Sequence, residues 1–436
     1  MSINLFSQEI ILTKKQIEEE VVYLKDNLEK IHPNLYHKIS KKEFEQKLDH
    51  LIKDSVSLLD YSKGLAATIN LIGDGHTWTD IGRGNLVEYY KNSGRFFSLK
   101  VKLKEGNIIC CNDEGIPDGA TLISINGISI DKIKNDLLAY IPGEKRYYKI
   151  SKMELELPFY LYLLYKMESF EVLYKYKQNN VVKKLKGRTQ PTWYATEKKL
   201  EGNFEVINDY GYLTLDLFGD TKKYFDLIDQ AIRESEEHLI IDLRNNPGGN
   251  TILGNYMLSG LSKIKYQSYD RTETKFSKPT RKFYHRYIFS KPHLAIFLAF
   301  MPEFWRKKGV RVNTEKFNNH FNQFDYKGDV TVVVSNYTFS SADDFARIFK
   351  KYDMGKIIGQ ETGGQKNSYG DIVFFKLPYS KIKCACSHKL FCGLDLDDKP
   401  TDGVKPDYDC DIDMTKSQII EFIEKHKKNS KWIVEE

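Results

Sequence analysis

The 436-residue sequence has no apolar run long enough to cross a membrane. Its longest, such as Leu294 to Met301, fall far short of the roughly 20 residues a spanning helix needs. It has no Cys-x-x-Cys pair, so the tightest zinc and redox signatures are missing from its six cysteines, at 110, 111, 384, 386, 392 and 410. Four of these fall between Cys384 and Cys410, in a spacing looser than structural zinc sites use. They read as reduced, partly buried thiols. The opening stretch, "MSINLFSQEIILTKKQIEEE", lacks the basic n-region, apolar core and cleavage site of a secretory leader. The expected location is therefore cytoplasmic, or secreted or in the envelope if a leader has been removed. An excess of one charge is missing too, since 66 basic and 60 acidic side chains leave only +6. The cations are dispersed and no recognition motif accompanies them, so no nucleic-acid partner is expected. There are no internal repeats, and no His, Asp and Glu stand at metal-ligand spacing; no cofactor or metal is expected.

What is present is a globular composition, with 41% hydrophobic and 13% aromatic residues, enough for two or three domain cores. Residues 14–72 repeat Leu, Ile, Lys and Glu at helical spacing, broken at His32-Pro33-Asn34, and predict two or three amphipathic helices. Between 95 and 180 the pattern turns to strands. "FFSLKVKLKEGNIICC" bends at Glu105-Gly106-Asn107, "GATLISINGISI" bends at Asn-Gly, and a helix is predicted from Asp131 to Tyr140. From residue 203, apolar strands ("GYLTLDL", "HLIIDLRNN", "DVTVVVSN", "GKIIGQ") alternate with helices, the mark of an α/β core. The basic, aromatic stretch 262–328 interrupts that core without a clear period, as a lid or substrate-binding insertion would.

Four stretches carry candidate chemistry. "LIGDGHTWTD" puts His76 in a glycine-rich turn, as a loop residue or a base. "IIDLRNNPGGN" ends a buried strand in Pro247-Gly248-Gly249, where paired glycines allow close backbone approach and leave N–H groups available. "SNYTFSSADDFARIFKK" runs from a strand into a helix through Ser340 and Ser341. Ser340 and Asp343 fit a helix-capping box, and the same junction is where α/β enzymes hold a nucleophile. The fourth is "GQETGGQKNSYGD" with the later "DKPTDGVKPDYD". Asp242 and Arg244 read as a structural pair at a strand end.

Taken together, "GDGHT", "IIDLRNNPGG", "TFSSADDFA", "GQETGG" and "DGVKPD", in this order over residues 73–407, resemble the tail-specific, or C-terminal processing, serine peptidase family. The resemblance is to its tricorn-core branch, which includes the retinoid-binding repeats of the retina; "IPDGATLISINGISI" resembles the family's PDZ-like segment. It implies an α/β fold with a Clp protease/crotonase-like spiral-sheet core. The expected organisation is an N-terminal helical region at 1–90, a PDZ-like β-rich module at 91–200 and a catalytic core at 201–436 with the insertion 262–328. It implies a serine peptidase acting on a peptide or protein through a Ser340 acyl-enzyme, with self-association into a homo-oligomer left open.

By the same resemblance His76 is the general base, and the oxyanion donors are the N–H of Ser341 and of Gly248 or Gly249. Where the Ser–Lys branch has its lysine this chain has Gln365, and Lys366 stands one residue off, which favours Ser–His chemistry. Gly75 stands where tricorn has a serine. The acid orienting His76 falls among Asp397, Asp398 and Asp402, with Asp402 first and Asp398 second. The rival reading is a non-catalytic protein on the same scaffold, holding an apolar ligand or a peptide, with 262–328 lining the cavity; a third is a scaffold acting only through partners.

Overall fold

The computed structural model describes residues 10–428 apart from 82–94, 105, 112–114, 189–201, 220, 262–264, 291–301, 315 and 318–325. The apolar run Leu294 to Met301 therefore lies outside the described residues. The chain divides into two compact units. The first takes residues 1–196, 273–312 and 369–390; the second takes 197–272, 313–368 and 391–436.

In the first unit, helix Lys14–Ile31 starts at Thr13 in a capping box with Gln16, and helices Lys41–Asp49 and Leu58–Ile69 follow, each capped by a serine hydroxyl. The break at His32 separates the first two, as the sequence predicts. Leu24, Leu28, Phe44, Leu65 and Ile69 pack into one core with Val373, Cys384 and Cys386. Strands Val101–Lys104 and Asn107–Cys110 pair as a hairpin, and Thr121–Ile125 turns through Asn126-Gly127 to pair Ile125 with Ile128. With Ser169–Tyr176, Asn179–Lys186 and helices Ile130–Leu138 and Arg146–Tyr165 they enclose a second core around Phe97, Ile125, Leu157 and Val172. The described residues of 10–81 and 95–188 thus have largely separate cores inside one unit. The stretch 262–328 is not without structure where described: it holds strand Arg271–Phe276, helix Lys278–Ser290 and strand Gly309–Asn313. These strands join a sheet in the order Gly309–Asn313, Arg271–Phe276, Lys383–Cys392, Asn367–Lys376, onto which Trp78–Thr79 pairs.

The second unit is built on a six-stranded sheet in the order Asn203–Ile207, Tyr210–Thr214, His238–Asp242, Asp329–Val334, Lys356–Gly359, Tyr408–Asp409. The first pair is antiparallel and every other pair parallel. Parallel strands need cover on both faces, and the near-continuous apolar runs here supply two buried faces. On one face Leu213, Ile241, Val332 and Ile357 pack against helices Lys222–Glu234, Thr251–Leu261 and Ser341–Lys351. On the other, Tyr212, Ile240, Val333 and Ile358 meet Ile419, Ile420 and Ile423 of helix Lys416–Lys428. No helix among the described residues is long and apolar enough to cross a membrane.

Candidate active site

Strands His238–Asp242 and Asp329–Val334 lie side by side in parallel, so the turns that follow them leave the same end of the sheet. Those turns are stitched together. Thr338 Oγ1 donates to the Leu243 carbonyl at 2.8 Å, and the Phe339 N–H donates to the Asn246 carbonyl at 3.1 Å. This brings Pro247-Gly248-Gly249 against the serine turn. A Cβ on Gly248 would sit 2.7 Å from Ser340 Cβ, 2.8 Å from the Phe339 oxygen and 3.1 Å from the Ser341 nitrogen. With φ at +104° as well, this position accepts only glycine.

Ser340 is not a conventional cap. Its backbone, at φ 54° and ψ −130°, occupies a region that non-glycine residues avoid at a cost of about 1–3 kcal/mol, and its side chain makes no capping hydrogen bond. The capping box suggested by Ser340 and Asp343 does not form. The Asp343 carboxylate is buried and takes its hydrogen bond from Thr362 Oγ1, which accepts from the Val404 N–H at 2.7 Å. "TFSSADDFA", "GQETGG" and "DGVKPD" therefore meet around the first turn of helix Ser341–Lys351. Ser341 is buried, and its hydroxyl has no hydrogen-bond partner among the described residues.

The two glycines differ. The Gly248 N–H donates to Asn246 Oδ1 at 2.8 Å. Gly249 bridges Phe218 in parallel through its neighbours: Phe218 N–H donates to the Gly248 oxygen and Asn250 N–H to the Phe218 oxygen. That pattern turns the Gly249 N–H away from Phe218, and it has no partner among the described residues.

The two carboxylates proposed to orient the base are engaged within their own unit. Asp398 receives Arg347 Nη1 at 2.6 Å in a pair whose side chains are 2% and 9% exposed, and Lys366 Nζ lies 3.4 Å from its other oxygen. Burial opposes the Asp398 charge, but Arg347 outweighs it and keeps the carboxyl below its usual range. The Asp402 carboxylate takes the Lys399 N–H at 3.4 Å, and its backbone oxygen takes Arg347 Nη2 at 3.1 Å. Lys366 precedes strand Asn367–Lys376 instead of lying on it, so strand alternation does not decide its direction. It points to Asp395 and Asp398; burial opposes its charge, but these hydrogen bonds more than compensate and raise its pKa, the wrong direction for a base. Asp242 and Arg244 pair at 2.7 Å, as expected.

His76 belongs to the first unit, in the turn between the short 3-10 helix Asn70–Ile72 and strand Trp78–Thr79. Asp74 organises this turn. Its fully buried carboxylate accepts the His76 N–H at 2.9 Å, Ser387 Oγ at 2.7 Å and Thr77 Oγ1, with His32 Nε2 at 3.3 Å. Asp74 Oδ1 lies 3.9 Å from His76 Nδ1, and the His76 side chain is 17% exposed. Burial lowers the His76 pKa; the charges of Asp74 and Asp371 oppose it without cancelling it. The Gly75 N–H donates to Glu144 Oε1 at 2.9 Å. Burial, reinforced by Asp74, pushes Glu144 up to about 7.

Asp74, His76 and Glu144 each bring one ligand atom within 4.8 Å of the others, a cluster hidden by sequence distance. Asp74 is already engaged by four groups, so the set fits a hydrogen-bonded turn better than a metal site. A cavity of about 410 Å³ opens beside Gly75, walled by Trp78, Tyr140, Tyr160 and Ile81.

Residues 209–408 match Peptidase family S41. The chain carries an S41 peptidase domain. The match makes it a serine-type peptidase, with a peptide or protein as substrate. The S41 segment contains Ser340, Ser341, Gly248, Gly249, Asp398 and Asp402, and His76 precedes it. A structure of mature CPAF complexed with lactacystin is similar at a TM-score of 0.65 and 14% identity, over 96% of this chain and 98% of that one, which shows the fold. The photosystem II D1 C-terminal processing protease matches at 0.46 and 14% identity, over 91% of this chain and 93% of that one. The tricorn protease matches at 0.40 and 15% identity, over 95% of this chain and 37% of that one. No curated protein matches in sequence.

Proposed function

We propose that this S41 peptidase cleaves peptide bonds through an acyl-enzyme on Ser340, with His76 as general base. Ser340 Oγ attacks the scissile carbonyl carbon while His76 takes its proton. The tetrahedral oxyanion accepts the N–H groups of Ser341 and Gly249, since Gly248 has given its own to Asn246. Collapse expels the amine, which takes the proton back from His76, and water then releases the acyl group by the same route in reverse. Asp74 carries the role assigned by sequence to Asp402 or Asp398, because its carboxylate holds the His76 backbone and lies 3.9 Å from Nδ1, and the charge of Asp371 also favours the protonated ring.

The observation that carries the reading is the Ser340 backbone: a strained serine, offered at a helix start, with glycine packed on its Cβ. A fluorophosphonate probe followed by peptide mapping tests it. The adduct is expected on Ser340 and to vanish in Ser340→Ala. An adduct on Ser341, or none on protein that is turning over substrate, overturns the assignment.

A further inference from the structure

Within the first unit, a groove of about 520 Å³ runs between helix Lys278–Ser290 and the end of strand Asn367–Lys376. Five cations line it (Lys282, Arg286, Lys376, Lys381 and Lys383), and no carboxylate does among the described residues. Lys383 lies over the Phe374 ring at 4.1 Å, and Lys381 donates to the Pro378 carbonyl. Lys282, Arg286 and Lys376 have no partner among the described residues. Lys282 and Arg286 stand four residues apart on their helix, where like charges repel. The nearby carboxylates of Glu19 and Glu20 are taken by the Tyr379 hydroxyl and by the N–H groups of Tyr379 and Ser380. Most of the remaining lining is apolar, with four aromatic rings in it: Phe283 lies 6.1 Å from Phe374, and Phe375 lies 6.2 Å from Tyr23.

We infer that this groove is an exosite for an acidic segment of the polypeptide substrate, one that also carries a large apolar side chain. Cations without an ion-pair partner set among aromatic rings match carboxylates interleaved with an apolar residue, and no carboxylate of the described residues lines the groove to neutralise them. The choice of a peptide occupant rests on the peptidase reading.

The test uses the full chain carrying Ser340→Ala and a fluorescent peptide of alternating Glu and Leu, followed by anisotropy. Binding is expected, falling as salt rises from about 0.05 M to about 0.5 M. It should weaken about tenfold in the double variant Lys282→Glu, Arg286→Glu. Both residues are exposed, and thermal melts with the milder pair Lys282→Gln, Arg286→Gln control for folding. In otherwise wild-type protein, the double variant should raise KM for a substrate bearing the acidic segment and leave kcat, and a short neutral substrate, unchanged. Equal binding of the Gln-for-Glu peptide, equal binding by the double variant, or preference for a single-stranded oligonucleotide or phosphatidylserine vesicles would each overturn the inference. Because binding is measured without turnover, its failure is distinct from failure of the Ser340 assignment.

Discussion

Replacing Gly248 by alanine asks one methyl group to enter the space between the serine turn and its own strand end. The new Cβ would sit 2.7 Å from Ser340 Cβ and 2.8 Å from the Phe339 oxygen, at a φ of +104°. None of these neighbours is the loose end of a side chain, so relief must come from the backbone. A left-handed conformation costs an L-residue about 1–2 kcal/mol, and forcing a methyl into packed surroundings about 1–3 kcal/mol more. The sum, roughly 2–5 kcal/mol, corresponds to a fall in melting temperature of roughly 5–20 °C for a unit of this size. Activity should suffer more than stability. Displacing Ser340 or the Ser341 N–H misplaces nucleophile or donor, and either fault is worth at least about 10² in kcat. Gly119→Ala is the control, because Gly119 has φ +76° and nothing within 4 Å of its missing Cβ, leaving backbone strain alone. Thermal unfolding with peptide turnover and fluorophosphonate labelling reads all three. If Gly248→Ala melts no lower than Gly119→Ala and keeps wild-type kcat, the close approach of the two turns is wrong and the oxyanion argument falls with it.

The acidic limb of the pH–rate profile should lie below the ordinary histidine value of about 6.5, because the base must be neutral and burial depresses His76. Asp371→Asn removes a charge that favours the protonated ring, so the limb should move to still lower pH; a move to higher pH contradicts the assignment. His76→Ala should lose about 10²- to 10⁴-fold in acylation rate while Lys366→Ala keeps most of it; the reverse outcome makes the enzyme a Ser–Lys peptidase. Arg347→Ala should destabilise, by less than the roughly 3–5 kcal/mol of a buried charge stripped of every partner, because the Asp398 carboxylate still has Lys366 at 3.4 Å; this is seen as a lowered denaturant midpoint, and an unchanged midpoint refutes the burial argument.

The parts of the site legible in the sequence are those in which a turn and its chemistry share a few neighbouring residues. Pro247-Gly248-Gly249 and Ser340-Ser341 declare themselves because strand-end glycines and helix-start serines are unusual locally. The apolar strands alternating with helices after residue 203 likewise declared an α/β core. What escaped was whatever depends on a distant partner. Asp343 reads as Ser340's cap until Thr362 takes its carboxylate, and Asp398 reads as a free acid until Arg347 does. Glu144 and Ser387 reach the GDGHT turn from 69 and 313 residues away, where no local pattern points to them. Helix Arg146–Tyr165 was hidden for another reason: Pro158, a residue that ordinarily ends a helix, stands inside it, and its apolar residues keep no single face.

The backbone at residue 340 also bears on how such a chain would change over generations. Glycine would relax there, so the side chain that gives the protein its chemistry sits where the fold gains least from it. In a descendant freed from cleaving anything, mutation and selection for stability would pull in one direction at this position. A glycine at 340 beside an unchanged Pro-Gly-Gly turn would mark a lineage that kept the scaffold and gave up the reaction.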